Sequence, residues 1–241
     1  MIVANMATYP ARKSIIETTV PQIAKQVDKL TICLNEFTSI PNFLNEIPNV
    51  EPIVPNEDFK DVGKFILKHQ DNDDVFYVDD DIIYPDNYIT KSLDKYQKYK
   101  SLNPIIGYHG VIYSDLFDGD QSLRNVFTFR LGLNKDKIVN QLGTGTIHCK
   151  GWQTPTLDFM RGSQKYVDLR FAVHAKRNFF PMICVTRNKE WMKEVDTDET
   201  IYEGFTKKWP PHVTHESLEI AGYSKLDFKS ELKLMEIINS D

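Results

Sequence analysis

The clearest chemistry in this sequence comes from three consecutive carboxylates, Asp79, Asp80 and Asp81. They follow residues 75–78, an apolar run of β-branched and aromatic side chains that predicts a buried strand of a parallel sheet. Ligands of open α/β sheets bind outside the carboxyl ends of the strands, so these side chains are expected at the rim of a site. Adjacent carboxylates protonate unless a cation offsets them, and oxygen ligands suit Mg²⁺ or Mn²⁺. Because such ions also take ligands from substrate phosphates, we predict a divalent metal that joins this loop to a phosphorylated substrate.

The composition excludes several classes of protein. The chain has 241 residues, of which 41% are hydrophobic, and can therefore bury the core of one large domain. Its formal charge of -5 argues against a nucleic-acid partner held by a basic face. Three widely spaced cysteines, Cys33, Cys149 and Cys184, indicate core packing in a reducing compartment, so we expect a cytoplasmic protein. No apolar run is long enough for a transmembrane segment and no signal-peptide pattern is present, which leaves peripheral docking on a membrane as an alternative.

The first hundred residues are predicted to alternate strands and helices. Strands are expected at 1–6, 30–34 and, as a short edge strand, 52–55; helices are expected at 14–26 and 85–100. A strand, a tight loop and a helix open a nucleotide-binding unit, because the helix N-terminus offers free N–H groups to phosphate. Arg12 adds a guanidinium there, although a solvated helix start explains it equally well. Asn35 follows the second strand, where it either forms a turn or contacts a base or ribose.

Residues 56–68 are predicted to be a loop that enters a helix. Gly63 allows a close backbone approach, and Asp61 and Lys64, three residues apart, would share one face of the helix. The acid can accept a hydrogen bond from a base N–H, and the lysine can meet phosphate. A first-turn acid and a surface lysine are the structural alternative.

The order of these segments resembles the GT-A glycosyltransferases of family two, such as those of bacterial capsule and lipopolysaccharide assembly. The resemblance rests on residues 7–12 (ATYPAR), 61–65 (DVGKF) and 79–81 (DDD), with Pro85 following, and covers about the first 90 residues. It implies an α/β fold of the GT-A type, which is Rossmann-like and has a mostly parallel central sheet flanked by helices in a single compact domain. Residues 1–100 would form the nucleotide-sugar-binding half and residues 101–241 the acceptor-binding half.

The resemblance also implies roles for individual residues in the nucleotide pocket. Thr8, Tyr9 and Arg12 would line this pocket. Asp61 would read the uracil edge, with Lys64 nearby.

The acidic cluster would contact the rest of the donor. Asp79 or Asp80 would touch ribose and sugar, and Asp81, with Asp79, would hold Mn²⁺ or Mg²⁺ on the diphosphate. Many GT-A enzymes complete the metal shell with a late histidine, and here either His212 or His215 would serve. A surface turn after the Pro-Pro break is the alternative for this pair.

The second half is predicted to be richer in β-structure and less regular. Strands are expected at 104–113, 126–133 and 179–185, a mobile loop at 115–125, a turn at 134–139, a helix or lid at 196–205 and an amphipathic helix at 226–238. Residues 141–148 are Gly-rich but lack the lysine of a phosphate-binding loop. In the resembled family such a segment lies beneath the sugar, and a plain turn is the alternative.

An inverting transfer needs a base that takes the proton of the acceptor hydroxyl. In the resembled family an acid after the Gly-rich segment has this role, and Asp168 is the sole match there. Asp168 also suits a plain helix N-cap, because apolar residues follow it at helical spacing. Asp158 is the second candidate for the base.

The sequence therefore predicts a metal-dependent, inverting glycosyltransferase of polysaccharide biosynthesis. It would move a sugar from a nucleotide-diphospho-sugar, which the resemblance implies is UDP-linked, to a saccharide or glycan acceptor. A phosphatase or nucleotidyltransferase is one alternative, although Ile83 replaces the Thr or Val of the phosphatase pattern and residues 7–10 replace the Gly-rich, basic loop of a nucleotidyltransferase. A non-catalytic carbohydrate-binding or cation-binding module is the other.

Overall fold

A computed structural model describes residues 1–195, 209–221 and Glu236. The strands in this part of the chain are β1 (Ile2–Thr8), β2 (Lys29–Leu34), β3 (Val50–Ile53), β4 (Asp74–Val78), β5 (Ile82–Ile83), β6 (Ile105–Gly107), β7 (Gly110–Tyr113), β8 (Arg124–Phe127), β9 (Lys137–Ile138), β10 (Gln141–Leu142), β11 (Thr146–Lys150), β12 (Met182–Cys184) and β13 (Lys193–Glu194). The α-helices are α1 (Lys13–Ala24), α2 (Asn42–Asn45), α3 (Tyr88–Tyr99), α4 (Leu157–Met160), α5 (Val167–Arg177) and α6 (Pro211–Ala221).

Eight of these strands form one central sheet in the order β3-β2-β1-β4-β11-β6-β12-β9. The pairs β3 with β2, β2 with β1, β1 with β4, and β6 with β12 are parallel. Strand β11 runs antiparallel between β4 and β6, and β9 is antiparallel to β12. The predicted α/β architecture, a single domain with a mostly parallel sheet flanked by helices, is therefore confirmed.

Strand β4 lies in the middle of this sheet, and its apolar run is buried on both faces. Val75 and Tyr77 pack into one core layer, with Phe65 and side chains of α5. Phe76 and Val78 pack into the other, with side chains of α1 and α3. This two-sided burial explains why the strand shows no alternation with polar residues.

The regular elements of the first half agree with the sequence. Strands β1, β2 and β4 and helices α1 and α3 match predicted segments to within a few residues, and β3 is an edge strand as expected. The three cysteines are buried and free. Strands β6, β11 and β12 come from the second half of the chain, so the sheet joins the two predicted halves; their separate roles stay a prediction.

Several predicted segments differ from the structure. Residues 56–68 contain a 3₁₀ helix at Lys60–Phe65 rather than an α-helix. Residues 104–113 form two strands, β6 and β7, which belong to different sheets. The chain bends between Gly107 and Gly110, where a Cβ on Gly110 would lie 2.7 Å from the Cβ of Cys184. The strand expected at 126–133 ends at Phe127, and the turn expected at 134–139 contains β9.

Two predicted segments, 196–205 and 226–238, lie outside the described residues apart from Glu236. Among the helices that the structure describes, none has the length and apolar character needed to span a bilayer.

Candidate active site

The three carboxylates lie in the turn that leaves the carboxyl end of β4 and enters β5. Strand β5 pairs with β13, which fixes the far side of this turn. The side chains of Asp79 and Asp81 are 36% and 24% exposed, whereas that of Asp80 is 11% exposed. Asp79 and Asp81 are therefore the members of the cluster that a ligand can reach.

Arg12 is turned inward toward the acidic turn. It ends a 3₁₀ turn, Pro10–Arg12, that follows β1 and leads into α1. Its Nη1 atom lies 3.1 Å from Oδ1 of Asp80 and 2.6 Å from Oδ2 of Asp81. Burial raises the pKa of Asp80 to about 6, and Arg12 opposes that rise. The guanidinium that the sequence suggested for phosphate thus already pairs with two of the three carboxylates, and it offsets one of their negative charges.

Lys64 is the second cation of the site. It is buried and forms an ion pair with Asp79. Burial lowers the pKa of Lys64, but Asp79 and then Asp168 and Asp61 raise it, and the net shift is upward. The 3₁₀ helix that carries Lys64 packs closely on β2, because a Cβ on Gly63 would lie 2.6 Å from Sγ of Cys33.

Asp61 shares the 3₁₀ helix with Lys64 and also lies within electrostatic reach of Asp168. Both of its carboxylate oxygens accept the backbone N–H of Lys165, at 3.0 and 2.8 Å. Lys165 has a φ of 73°, a left-handed conformation that is uncommon outside glycine. Burial raises the pKa of Asp61 to about 6, which the Lys165 N–H and Lys64 oppose.

The Gly-rich segment lies directly against the acidic turn. Its residues 143–145 connect β10 to β11. A Cβ on Gly145 would lie 1.9 Å from Oδ2 of Asp79. The buried hydroxyl of Tyr84 accepts the N–H of Asp79 at 2.8 Å and donates to the carbonyl of Gly145 at 2.6 Å. Residue 145 must therefore be small for the two segments to meet, as the glycine is.

Asp168 approaches the same place from α5. It lies in the first turn of this helix, and the N-cap is Tyr166, so the N-cap interpretation of Asp168 is wrong. Its Oδ1 atom instead accepts the N–H and the hydroxyl of Thr144, at 2.8 and 2.6 Å. Asp158, the second candidate for the base, is 94% exposed and 3.5 Å from Arg161.

Some predicted site residues have other contacts. The buried amide of Asn35 donates to the carbonyls of Thr8 and Lys60 and accepts the N–H of Phe59. It is a structural link between β1 and the 3₁₀ helix, and its contact with a base or ribose stays a prediction. Thr8 is buried at the end of β1, and the hydroxyl of Tyr9 lies 3.4 Å from Nε of Arg12.

The two late histidines lie on α6. The ring of His212 faces the edge of Tyr166, with centroids 6.4 Å apart, and His215 is within electrostatic reach of Glu219. No three His, Cys, Asp or Glu residues in the described part of the chain converge as metal ligands. The structure therefore does not join either histidine to Asp79 and Asp81 in a three-ligand set. The two exposed carboxylates still suit Mg²⁺ or Mn²⁺, because such ions commonly use one or two carboxylates together with waters and substrate phosphates.

Two residues near this site were missed by the sequence analysis. Tyr84 joins the acidic turn to the Gly-rich segment, as described above. His109 packs against Gly143; burial lowers its pKa below the ordinary value, while Asp168 and Asp79 oppose this. The one available signal was its place between Gly107 and Gly110, two glycines within a predicted strand.

No protein-family model matches this sequence, and no curated protein matches it. Among solved structures, the chain is similar to the crystal structure of S. aureus TarS 1-349 in complex with UDP-GlcNAc. The TM-score is 0.58 at 8% sequence identity, and the match covers 99% of this chain and 72% of that one. An identity this low shows a shared fold alone, and that fold agrees with the GT-A type expected from the sequence.

Proposed function

We propose that this protein is a metal-dependent, inverting glycosyltransferase that moves a sugar from a UDP-linked donor to a saccharide acceptor. The observation that carries the proposal is the convergence of Lys64, Asp61, Asp79 and Asp168 around the Gly-rich segment, at the carboxyl edge of the sheet. A further support is that the TarS structure, which shares the fold, holds a nucleotide sugar. We place the reaction in polysaccharide biosynthesis in the cytoplasm.

The donor would bind beside the acidic turn. Asp61 would accept a hydrogen bond from the uracil edge, and Tyr9 would line the pocket at the end of β1. Asp79 and Asp81 would hold Mn²⁺ or Mg²⁺, which when bound supplies Lewis-acid stabilisation of the negative charge on the departing diphosphate. Lys64 holds Asp79 in place through their ion pair.

Asp168 would act as the base. The acceptor oxygen forms a bond to the anomeric carbon of the sugar while the bond from that carbon to the diphosphate breaks on the opposite face. The acceptor proton passes to Asp168, and UDP leaves with the electron pair of the broken bond. Thr144 orients the carboxylate through Oδ1, and Oδ2 has no hydrogen-bond partner among the residues that the structure describes, so this oxygen is available for the proton.

The donor assignment can be tested by thermal denaturation with UDP, with and without Mn²⁺. A ligand present at about 100 times its Kd stabilises the folded state by about 2.7 kcal/mol, which corresponds to a rise in Tm of roughly 5–10 °C for a chain of this size. We expect this rise only when both UDP and Mn²⁺ are present, and we expect Asp79→Asn to abolish it.

Asp158→Asn is the matched control, since it removes one exposed carboxylate away from the acidic turn. A UDP effect that is independent of Mn²⁺ and unchanged in Asp79→Asn would contradict a metal-bridged diphosphate. Indifference to every nucleotide would favour the non-catalytic module.

A further inference from the structure

A cavity of about 640 Å³ lies beyond the carboxyl ends of β6 and β12, and none of the predicted site residues lines it. Its walls are one face of α3, residues 133–136 and residues 186–188, with the aromatic rings of Tyr108 and Trp191. This volume is within the range of small-molecule sites. The carboxyl edge of the sheet therefore carries a second concave surface besides the acidic turn.

The lining of this cavity is basic, although the chain as a whole has a formal charge of -5. The acidic side chains of the lining are Asp94 and Asp136, and the basic ones are Lys91, Lys95, Lys98, Lys135 and Arg187. The three lysines of α3 recur at helical spacing, along one side of the face that buries Tyr88, Ser92 and Tyr99. The helix thus presents these three cations to one open concavity.

Asp136 offsets part of the charge of Lys95 and Lys98 through two long ion pairs. It is buried and accepts the hydroxyl of Tyr99 at 2.6 Å and the N–H of Thr186 at 2.5 Å. Nζ of Lys95 and of Lys98 each lie 3.8 Å from it, beyond hydrogen-bond distance. Lys95 donates instead to the hydroxyl of Thr186, and an ammonium group has three donors.

Arg187 is a further cation of the cavity lining, and hydrogen bonds fix its position. It is 7% exposed, and its two terminal nitrogens donate to the carbonyls of Val185, Phe127 and Thr128. Its Nε is buried without a hydrogen-bond partner among the described residues. Arg187 lines the cavity, so its guanidinium adds a positive charge of fixed position to the wall.

The cavity adjoins the candidate active site. Tyr108 lines the cavity, and the next residue, His109, lies within electrostatic reach of Asp168 and Asp79. Arg187 is also close enough to His109 to affect its protonation. Consecutive residues of the chain thus contribute to the cavity and to the surroundings of Asp168.

We propose that this cavity binds an oxyanion, either phosphate or carboxylate, carried by the acceptor. The oxyanion site is inferred from the lining of the cavity, whereas its assignment to the acceptor rests on the proposed function. The cations of α3 and Arg187 neutralise the oxyanion. Trp191, whose ring packs at a tilt against Tyr108 with centroids 4.9 Å apart, forms an apolar wall beside it.

The test is calorimetric titration with inorganic phosphate and, separately, with acetate, at constant ionic strength. The double variant Lys91→Gln/Lys135→Gln removes two exposed cations of the cavity wall. The control, Lys29→Gln/Lys68→Gln, removes the same charge near His69, away from the cavity. We expect phosphate or acetate to bind the wild type and the control equally, and to bind the cavity variant at least tenfold more weakly. The anion that binds more tightly identifies the group on the acceptor.

An equal loss in the control, an unchanged affinity in the cavity variant, or no binding of either anion to the wild type would overturn the proposal. The UDP and Mn²⁺ thermal shift, measured on the same variants, separates it from the proposed function. We expect this thermal shift to persist in the cavity variant. Loss of the shift in that variant would show that the cavity is part of the donor site and would overturn the proposal of a separate oxyanion site. A wild type that binds phosphate in the cavity but not UDP would retain the oxyanion site and refute the donor assignment.

Discussion

Asp168 illustrates how the contacts of one carboxylate decide what it can do. An acid in the first turn of a helix usually accepts hydrogen bonds from N–H groups of its own helix. Asp168 instead accepts two hydrogen bonds from Thr144, which lies in the Gly-rich segment. That contact holds the carboxylate beside the acidic turn. The base assignment therefore depends on tertiary contacts, whereas the exposed Asp158 has only a neighbouring arginine.

Asp168→Asn should lower the rate of sugar transfer by about 10²- to 10⁴-fold, because an amide cannot take the acceptor proton. The amide oxygen can still accept both hydrogen bonds from Thr144, so the fold and the UDP-dependent rise in Tm should persist. Release of UDP from a UDP-sugar in the presence of saccharide acceptors measures the rate, and Asp158→Asn is the control with unchanged turnover. Near wild-type turnover of Asp168→Asn would assign the base to another residue.

Asp61 gives a prediction about stability and pH. Its pKa is raised to about 6 in the folded protein, so between about pH 4 and pH 6 the folded state binds more protons there than the unfolded state. The contribution of Asp61 to the free energy of unfolding should thus fall as the pH rises through this window, and Asp61→Asn removes this dependence.

Urea unfolding at pH 4.5 and pH 7.5 checks this. The free energy of unfolding of the wild type, measured relative to Asp61→Asn, should be about 2 kcal/mol lower at pH 7.5 than at pH 4.5. The difference in the free energy of unfolding between the wild type and the exposed control variant Asp158→Asn should be the same at both pH values. A wild-type advantage that grows with pH would contradict the upward shift.

Among the elements, β11 decides the shape of the candidate site. It pairs antiparallel with β4, in register from Thr146 with Val78 to Lys150 with Asp74. This register brings the residue before β11, Gly145, against the residue after β4, Asp79. Tyr84 then joins both backbones through one hydroxyl. Two segments 66 positions apart in sequence thereby form one wall.

Gly145→Ala should displace the Asp79 carboxylate, because the new methyl group would overlap it. We expect the UDP and Mn²⁺ thermal shift to disappear and the free energy of unfolding to fall by about 1–3 kcal/mol, as for other overpacked sites. Gly143→Ala is the comparison, since its Cβ would meet the Cβ of His109 at 3.0 Å and needs a smaller adjustment. A normal thermal shift in Gly145→Ala would show that the close approach is not needed for donor binding.

On the scale of the whole molecule, a single sheet ties the two predicted halves together. Strand β4 would be an open, fully apolar edge without β11, and β6 and β12 extend the same sheet beyond it. Helices α1, α3 and α5 cover its faces in two continuous core layers. Neither half can complete its core without the other.

The chain should therefore unfold in one cooperative transition. Its three tryptophans, Trp152, Trp191 and Trp209, all lie in the second half, so their fluorescence reports on that half, whereas far-UV circular dichroism reports on the whole chain. We expect the two probes to give the same urea midpoint. Separated midpoints would indicate that the halves are independent domains.

Much of this arrangement was predictable from the sequence, because it is encoded locally. An unbroken apolar run such as residues 75–78 can only be buried on both faces, and polar residues that follow such a strand must lie at the rim of the sheet. The α/β class, β1, β2, β4, α1 and the position of the acidic turn follow from patterns of this kind.

The tertiary structure alone decided which groups meet. Arg12 and Lys64 are ordinary surface cations by their sequence context, yet folding buries both against the carboxylates and changes how the charge of the turn is balanced. The contacts of Asp168 with Thr144 and of Gly145 with Asp79, and the cavity around Arg187, join segments far apart in the chain. Such contacts depend on the register of β11 and on the packing of α5, and neither can be predicted from a local sequence pattern. Hydrophobic burial is non-directional, so an apolar pattern predicts that a segment is buried but not which segment covers it.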